Sequence, residues 1–346
     1  LVKILSRITS DVPFFKLFGD DILEFKQSSW KRIQLFHSAD KARTYLTDSY
    51  TQLEIENPSA KAYDNCYSFI YYLEQGEIFY KQAAQTPLSI KPILLYYGLV
   101  HLVKACLLSV DPYYPHSTTV LAHGVSTRKR KRRDYQFLED EVKIQKNGLC
   151  TYFLERMFHV KHLEGEKFKM GDLLQLVVEM DECFLFLNGM PNMIELPRVD
   201  AHSCLIPKQL LESYYMDKKR MKEYLAHKCG KEIQWVKDEG ENITLRQSIG
   251  NTPPFRYHME KQSLWLPANI HAFTYLPDLL IHYLVLYNLS MISRYETEWW
   301  MELIKTTPNS DYPFIRNFLD ITELKGPFLI ENFLNKTSKE VPYPKE

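Results

Sequence analysis

The chain has 346 residues, with 43 Lys plus Arg against 43 Asp plus Glu, so its formal net charge is zero. That balance excludes a protein that coats nucleic acid through bulk charge, while leaving room for a local basic patch. Hydrophobic residues make up 45% of the chain and charged residues 25%, the composition of a soluble globular protein with ample burial.

Residues 1–24 are expected to form an N-terminal stretch that is poorly ordered or foreign to the native protein. LVKILSRITSDVPFF lacks the apolar core of a signal peptide. Ser28 is placed to cap a short helix through Phe36, Ser38 to cap ADKARTYLTDSY, and Ser59 to open a long helix ended by Pro87. In that long helix Tyr63, Tyr67, Ile70, Tyr71 and Leu73 fall near helical spacing.

Residues 88–110, LSIKPILLYYGLVHLVKACLLSV, are apolar on nearly every side. This predicts a central core helix, antiparallel to the one before it and stopped by Asp111-Pro112. Tyr97, His101 and Lys104 stand at i, i+4 and i+7 and so share one face. They form either a satisfied core network or a binding site, with His101 as a general base and Lys104 as an anion anchor.

Residues 111–127 read as an ordered loop containing His123-Gly124. There a glycine permits a positive φ and a close ligand approach, and a plain turn explains the pair equally well. The run Arg128, Lys129, Arg130, Lys131, Arg132, Arg133 is the one strong charge cluster. It is suited to phosphate contacts, or else is a solvated loop balanced by Glu139, Asp140 and Glu141.

A strand over 141–146 and a turn at Asn147-Gly148 follow, then helices over 149–158 and 168–187, the second opened by Asp172. Arg156 and His162 form an R-x5-H spacing. The second half predicts strands over 192–198, 231–237, 242–247, 254–260 and 263–268, with turns at 238–240 and at Lys261-Gln262. Helices are predicted over 207–228, 277–305, 314–319 and 328–334. On the third-last of these, Ser290 and Arg294 are i, i+4 partners. Arg294 either holds a carboxylate or phosphate, or ties the helix to Glu296, Glu298 or a distant acid.

The organisation expected is a helical half over 25–187 and a mixed α/β half over 188–346, packed as one compact unit. No segment is expected to span a membrane: 279–292 is shorter than the ~20 apolar residues a span requires. The six cysteines are widely spaced with no C-x-x-C, which fits buried thiols in a reducing cytoplasm. Nucleotide-binding glycine loops, zinc-protease, nucleophile-elbow and calcium-loop motifs are absent, so no metal or cofactor is expected.

YSFIYYLEQGEIFYKQA, PLSIKPILLYYGLVHLVKACLLSVDP, LAHGVSTRKRK, DEVKIQKNGL, MFHVKHLEGEKF and LVLYNLSMISRYETEWW resemble the YaaC-like family of bacilli and relatives, over about Trp30 to Asn335. More distantly, the helix bearing Tyr97, His101 and Lys104, followed by His-Gly, is similar to HEPN-type helical bundles. That resemblance implies either an RNase using an Arg-x4-6-His motif or a non-catalytic binding domain. Arg156 and His162 meet the spacing, but Met157 stands where such motifs often carry a polar residue.

The expected fold is therefore mainly α (α+β), a HEPN-like bundle with a small antiparallel β element in its C-terminal half. The expected function is a non-catalytic binding module for RNA or another anionic ligand. A ribonuclease using Arg156 and His162 is the second reading. A partner-binding or homodimeric protein with an aromatic interface is the third.

Overall fold

The structure is a computed structural model that describes residues 29–127, 135–200, 203–229, 233–236, 243–246, 252–270 and 275–337. The N-terminal stretch 1–24, the basic run Arg128–Arg133 and the turn at 238–240 lie outside these residues.

A helical segment over 29–34 leads into α1 (Ala39–Gln52), α2 (Pro58–Gln85) and α3 (Lys91–Val110). Ser38 occupies the N-cap of α1 without a side-chain cap bond, and α2 starts one residue before Ser59, from Asn57. The antiparallel pair is close-packed through two glycines. A Cβ on Gly76 would lie 2.6 Å from Leu102, and one on Gly98 would lie 2.7 Å from Tyr80. On α2, Ile70 and Leu73 turn inward, while Tyr63, Tyr67 and Tyr71 are 67%, 57% and 58% exposed.

After α3 come β1 (Val125–Thr127), β2 (Glu141–Ile144), α4 (Leu149–Phe158), β3 (Lys167–Lys169), α5 (Met170–Leu174) and α6 (Asp181–Asn188). Strands β1, β2 and β3 form one antiparallel sheet. The helix expected over 168–187 is thus divided. Phe168 is drawn into β3 opposite Val142. The Asp181 carboxylate accepts the backbone N–H groups of Asn192 and Met193, fixing where α6 begins.

The remainder comprises β4 (Met193–Leu196), β5 (Arg198–Asp200), β6 (Ser203–Ile206), α7 (Lys208–Ser213), α8 (Lys218–Cys229), β7 (Ile243–Arg246), β8 (Arg256–His258), β9 (Ser263–Pro267), α9 (Asp278–Tyr295), α10 (Thr297–Thr306) and α11 (Asp311–Thr337). Two further antiparallel sheets run β4-β9-β8 and β5-β6-β7. The hairpin at Lys261-Gln262 joins β8 to β9 as expected. Of the strand expected over 231–237, the described part supplies a single bridge, Trp235 to Leu245.

Three other helices differ from expectation. The one over 207–228 breaks at Tyr215 (φ 52°), and Asp217 caps the second piece by accepting the Arg220 N–H. The one over 277–305 turns at Glu296, which lets Trp300 bury itself and donate to the Ser89 carbonyl at 2.9 Å. The pieces over 314–319 and 328–334 merge into α11, which contains Pro327. Contacts on both sides of the proline hold it: Phe328 stacks on Tyr257, and buried Lys325 bonds Glu179 at 2.7 Å and lies 3.4 Å from Asp278.

The main core gathers α1–α6 and α9–α11, and a smaller one lies between β4–β9, α7 and α8. α3 is central to the first, packed by α2, α9 and α11. It has the length and hydropathy of a membrane span, but most of it is buried inside the protein. The apolar segment 279–292 lies in α9 and is likewise covered, with His282 and Asn288 both buried.

Candidate functional site

α3 is buried nearly all round, and its polar stripe opens toward the 111–127 loop and α9. Tyr97, His101 and Lys104 are each half-buried. The Tyr97 hydroxyl accepts a hydrogen bond from Arg294 Nη1 on α9 at 3.2 Å, and the guanidinium lies 5.9 Å from the Tyr97 ring. The same Tyr97 ring meets the His123 ring at 5.9 Å. His101 stacks on Phe79 of α2 at 5.6 Å, and Lys104 sits 5.6 Å from the Tyr72 ring. Tyr97, His123 and Arg294 thus meet from three distant segments, and His101 and Lys104 continue the α3 stripe against α2.

His123 is held by its backbone. Its carbonyl accepts the Cys150 N–H at 3.2 Å and the Tyr283 hydroxyl at 2.8 Å, and Tyr283 in turn accepts from Tyr96 at 3.0 Å. Gly124 does adopt a positive φ of 75°. The close approach it permits, however, is to protein. A Cβ there would meet the Cys150 nitrogen at 2.9 Å, and one on Gly148 would meet the Gly124 Cα at 2.4 Å. The glycines lock two backbone segments together and so aim the His123 ring at Tyr97, Tyr96 and Tyr287.

The electrostatics are one-sided. Arg294 donates to the Ser290 carbonyl, the Met291 sulfur and Tyr97, and to no carboxylate among the described residues. The expected ties to Glu296 or Glu298 are not made. Lys104 has neither a hydrogen bond nor an ion pair among the described residues, and burial draws its pKa below the usual lysine range. Burial, followed by Arg294 and Lys104, lowers the His123 pKa. Burial, followed by Lys104, lowers that of His101, whose Nδ1 is buried without a partner. Half-buried cations without acids attract an anion, and the free hydrogen of Tyr97 adds a donor.

Arg156 and His162 are not brought together. Arg156 lies 5.4 Å from the Tyr152 ring and 3.6 Å from Asp111, whereas His162 is exposed in the loop after α4 at φ 73°. No hydrogen bond or ion pair links them. The Tyr152 hydroxyl donates a hydrogen bond to Asp111, so its oxygen is left to accept one from His116 Nδ1 at 3.2 Å. Burial and this carboxylate push the Tyr152 pKa up to about 12.

Sequence reading missed Asp111, His116 and Tyr152 as a cluster, because they meet only through the loop and α4. It also missed Tyr72 and Phe79, although their i, i+7 spacing on α2 puts them on one face. Among the described residues no three His, Cys, Asp or Glu converge as metal ligands.

The YaaC-like Protein family model matches residues 34–334, most of the chain. No curated protein and no solved structure matches it.

Proposed function

This chain belongs to the YaaC-like family, and from the geometry of its cationic cluster we propose that it is a non-catalytic binding module for an anionic ligand. The observation that carries this reading is that Arg294, bonded to Tyr97, and Lys104, over Tyr72, both raise the positive potential at His123, with no carboxylate bonded to either cation among the described residues. Leaving such charge half-buried costs stability that a bound anion would restore. The basic run Arg128–Arg133 starts one residue after β1 ends and five after His123. It suits a ligand with further phosphates, RNA included. All six cysteines are free and five are buried, which supports a reducing, cytoplasmic setting.

The test is thermal unfolding in inorganic phosphate against chloride at equal ionic strength. Stabilisation by phosphate that disappears in Lys104→Met and Arg294→Met supports the reading. No stabilisation, or the same stabilisation in both variants, overturns it.

The stripe of exposed Tyr63, Tyr67 and Tyr71 favours a second reading, a partner-binding protein with an aromatic interface. Sedimentation of the parent beside Tyr67→Ser tests self-association through it. The ribonuclease reading has less support, since Arg156 is engaged with Tyr152 and Asp111.

A further inference from the structure

Resting on that anion-binding reading, we infer that the ligand presents a dianionic oxyanion end, of the phosphate monoester class, and that His123 takes up a proton as it binds. Lys104 and Arg294 supply two half-buried cationic groups, neither of them bonded to a carboxylate among the described residues. A backbone phosphodiester brings one negative charge and leaves one cation uncompensated. A monoester at neutral pH carries about −1.5 to −2 and cancels both.

The surroundings of His123 decide the proton. From α3 it is faced by Tyr96, Tyr97 and Lys104, and from α9 by Tyr287 and Arg294. From α4 the residue bonded to its carbonyl is Cys150, whose thiol burial keeps protonated. Neither ring nitrogen of His123 has a hydrogen-bond partner among the described residues. In the free protein, burial and the two cations disfavour the protonated ring. An arriving dianion cancels the field of those cations and favours the imidazolium, which then donates a charge-assisted hydrogen bond to it.

His101 differs. It is stacked on Phe79, its Nδ1 is enclosed without a hydrogen-bond partner among the described residues, and burial, followed by Lys104, disfavours its charged form. The sign follows: the bound-state pKa of His123 exceeds its free-state value. Affinity therefore rises as pH falls through the bound-state pKa and levels off below the free-state pKa.

Inorganic sulfate is the probe, because it stays a dianion from pH 5.5 to 8 and any pH dependence belongs to the protein. Calorimetric titration across that range should show affinity rising with acidity, by at most about tenfold per pH unit for one proton. At one pH, the binding enthalpy of the parent protein should vary with the ionisation enthalpy of the buffer, a readout that requires no variant. His123→Gln should flatten the pH dependence and His101→Gln should keep it.

Adenosine 5′-monophosphate should bind more tightly than the cyclic 3′,5′ diester of adenosine, which carries a single charge. A short RNA with a 5′-phosphate, compared with the same RNA lacking it, tells a polynucleotide end from a small molecule. Sulfate binding that depends on Lys104 but is pH-independent, or unchanged in His123→Gln, overturns the proton coupling. Equal affinity for the two adenosine phosphates overturns the dianion assignment. Absence of sulfate binding at every pH overturns the anion-binding reading beneath both.

Discussion

The Tyr97 hydroxyl accepts a hydrogen bond from Arg294 Nη1 at 3.2 Å, across 197 residues of chain. Because the oxygen is the acceptor, its own hydrogen stays available to a ligand. The bond also fixes one fork of the guanidinium beside the His123 ring. A single phenol thereby joins α3, α9 and the His-Gly loop.

Lys104 is expected to trade stability for binding. Lys104→Met keeps the aliphatic bulk over Tyr72 and removes a charge that burial disfavours. The free protein should become more stable by about 0.5–2 kcal/mol, the usual gain when a functional liability is removed. Urea midpoints in chloride check the gain, and midpoints in sulfate check the lost response to anion. A less stable variant in chloride would mean that the charge is compensated.

The glycine lock gives a graded pair of substitutions. In Gly148→Ala the new Cβ collides with backbone at 2.4 Å in a conformation of φ +136°. Strain and overpacking together should cost about 2–5 kcal/mol. Gly165 also has a positive φ, of +83°, but nothing lies within 4 Å of a Cβ there. Gly165→Ala should therefore cost about 1 kcal/mol, from backbone strain alone. Equal losses in chemical denaturation would refute the backbone contact.

His282 sets an acid limit on stability. It is fully buried on α9 and bonded through Nδ1 to Thr322 Oγ1 at 2.5 Å. Burial, aided by Lys325, lowers its pKa to about 3. Between pH 6.5 and 3 the unfolded chain holds a proton at this ring that the folded chain refuses. Stability is thus full above about pH 6.5 and falls by about 1.4 kcal/mol per pH unit on acidification from this group. Urea titrations from pH 7 to 5 should show that fall, with a shallower slope in His282→Leu. Identical slopes would show that other groups govern acid unfolding.

Ribonuclease activity through Arg156 and His162 is expected to be absent. A catalytic His has to reach the proton it transfers, directly or through one water. His162 is instead exposed on a left-handed loop residue, while Arg156 is engaged with Tyr152 and Asp111. Mixed RNAs incubated with the parent protein and with His162→Ala should be degraded equally, at background. Cleavage by the parent that the variant lacks would overturn this expectation.

The sequence by itself determined the elements whose local signals agree with their burial. α3 was legible because a run of Leu, Val and Ile with Pro near its start and Asp-Pro at its end has one stable outcome. The pattern 149–158 gave α4 directly, alternation gave β2, and the segments read as strands over 192–198, 242–247, 254–260 and 263–268 contain β4, β7, β8 and β9. The gathering of Tyr97, His101 and Lys104 on one face followed from the 3.6-residue repeat. Only the tertiary structure decided the rest. Helix breaks at Tyr215 and Glu296 depend on where Tyr214 and Trp300 find buried partners in remote segments. Continuity through Pro327 depends on Glu179 and Asp278 holding Lys325. The convergence of His123 and Arg294 on the α3 stripe depends on a backbone lock between Gly124 and Gly148 and on the packing of α9. Periodicity reports a residue's neighbours along one element. It carries no record of which other element arrives on that face, and here α9 brings Arg294, which makes no ion pair with an acid among the described residues.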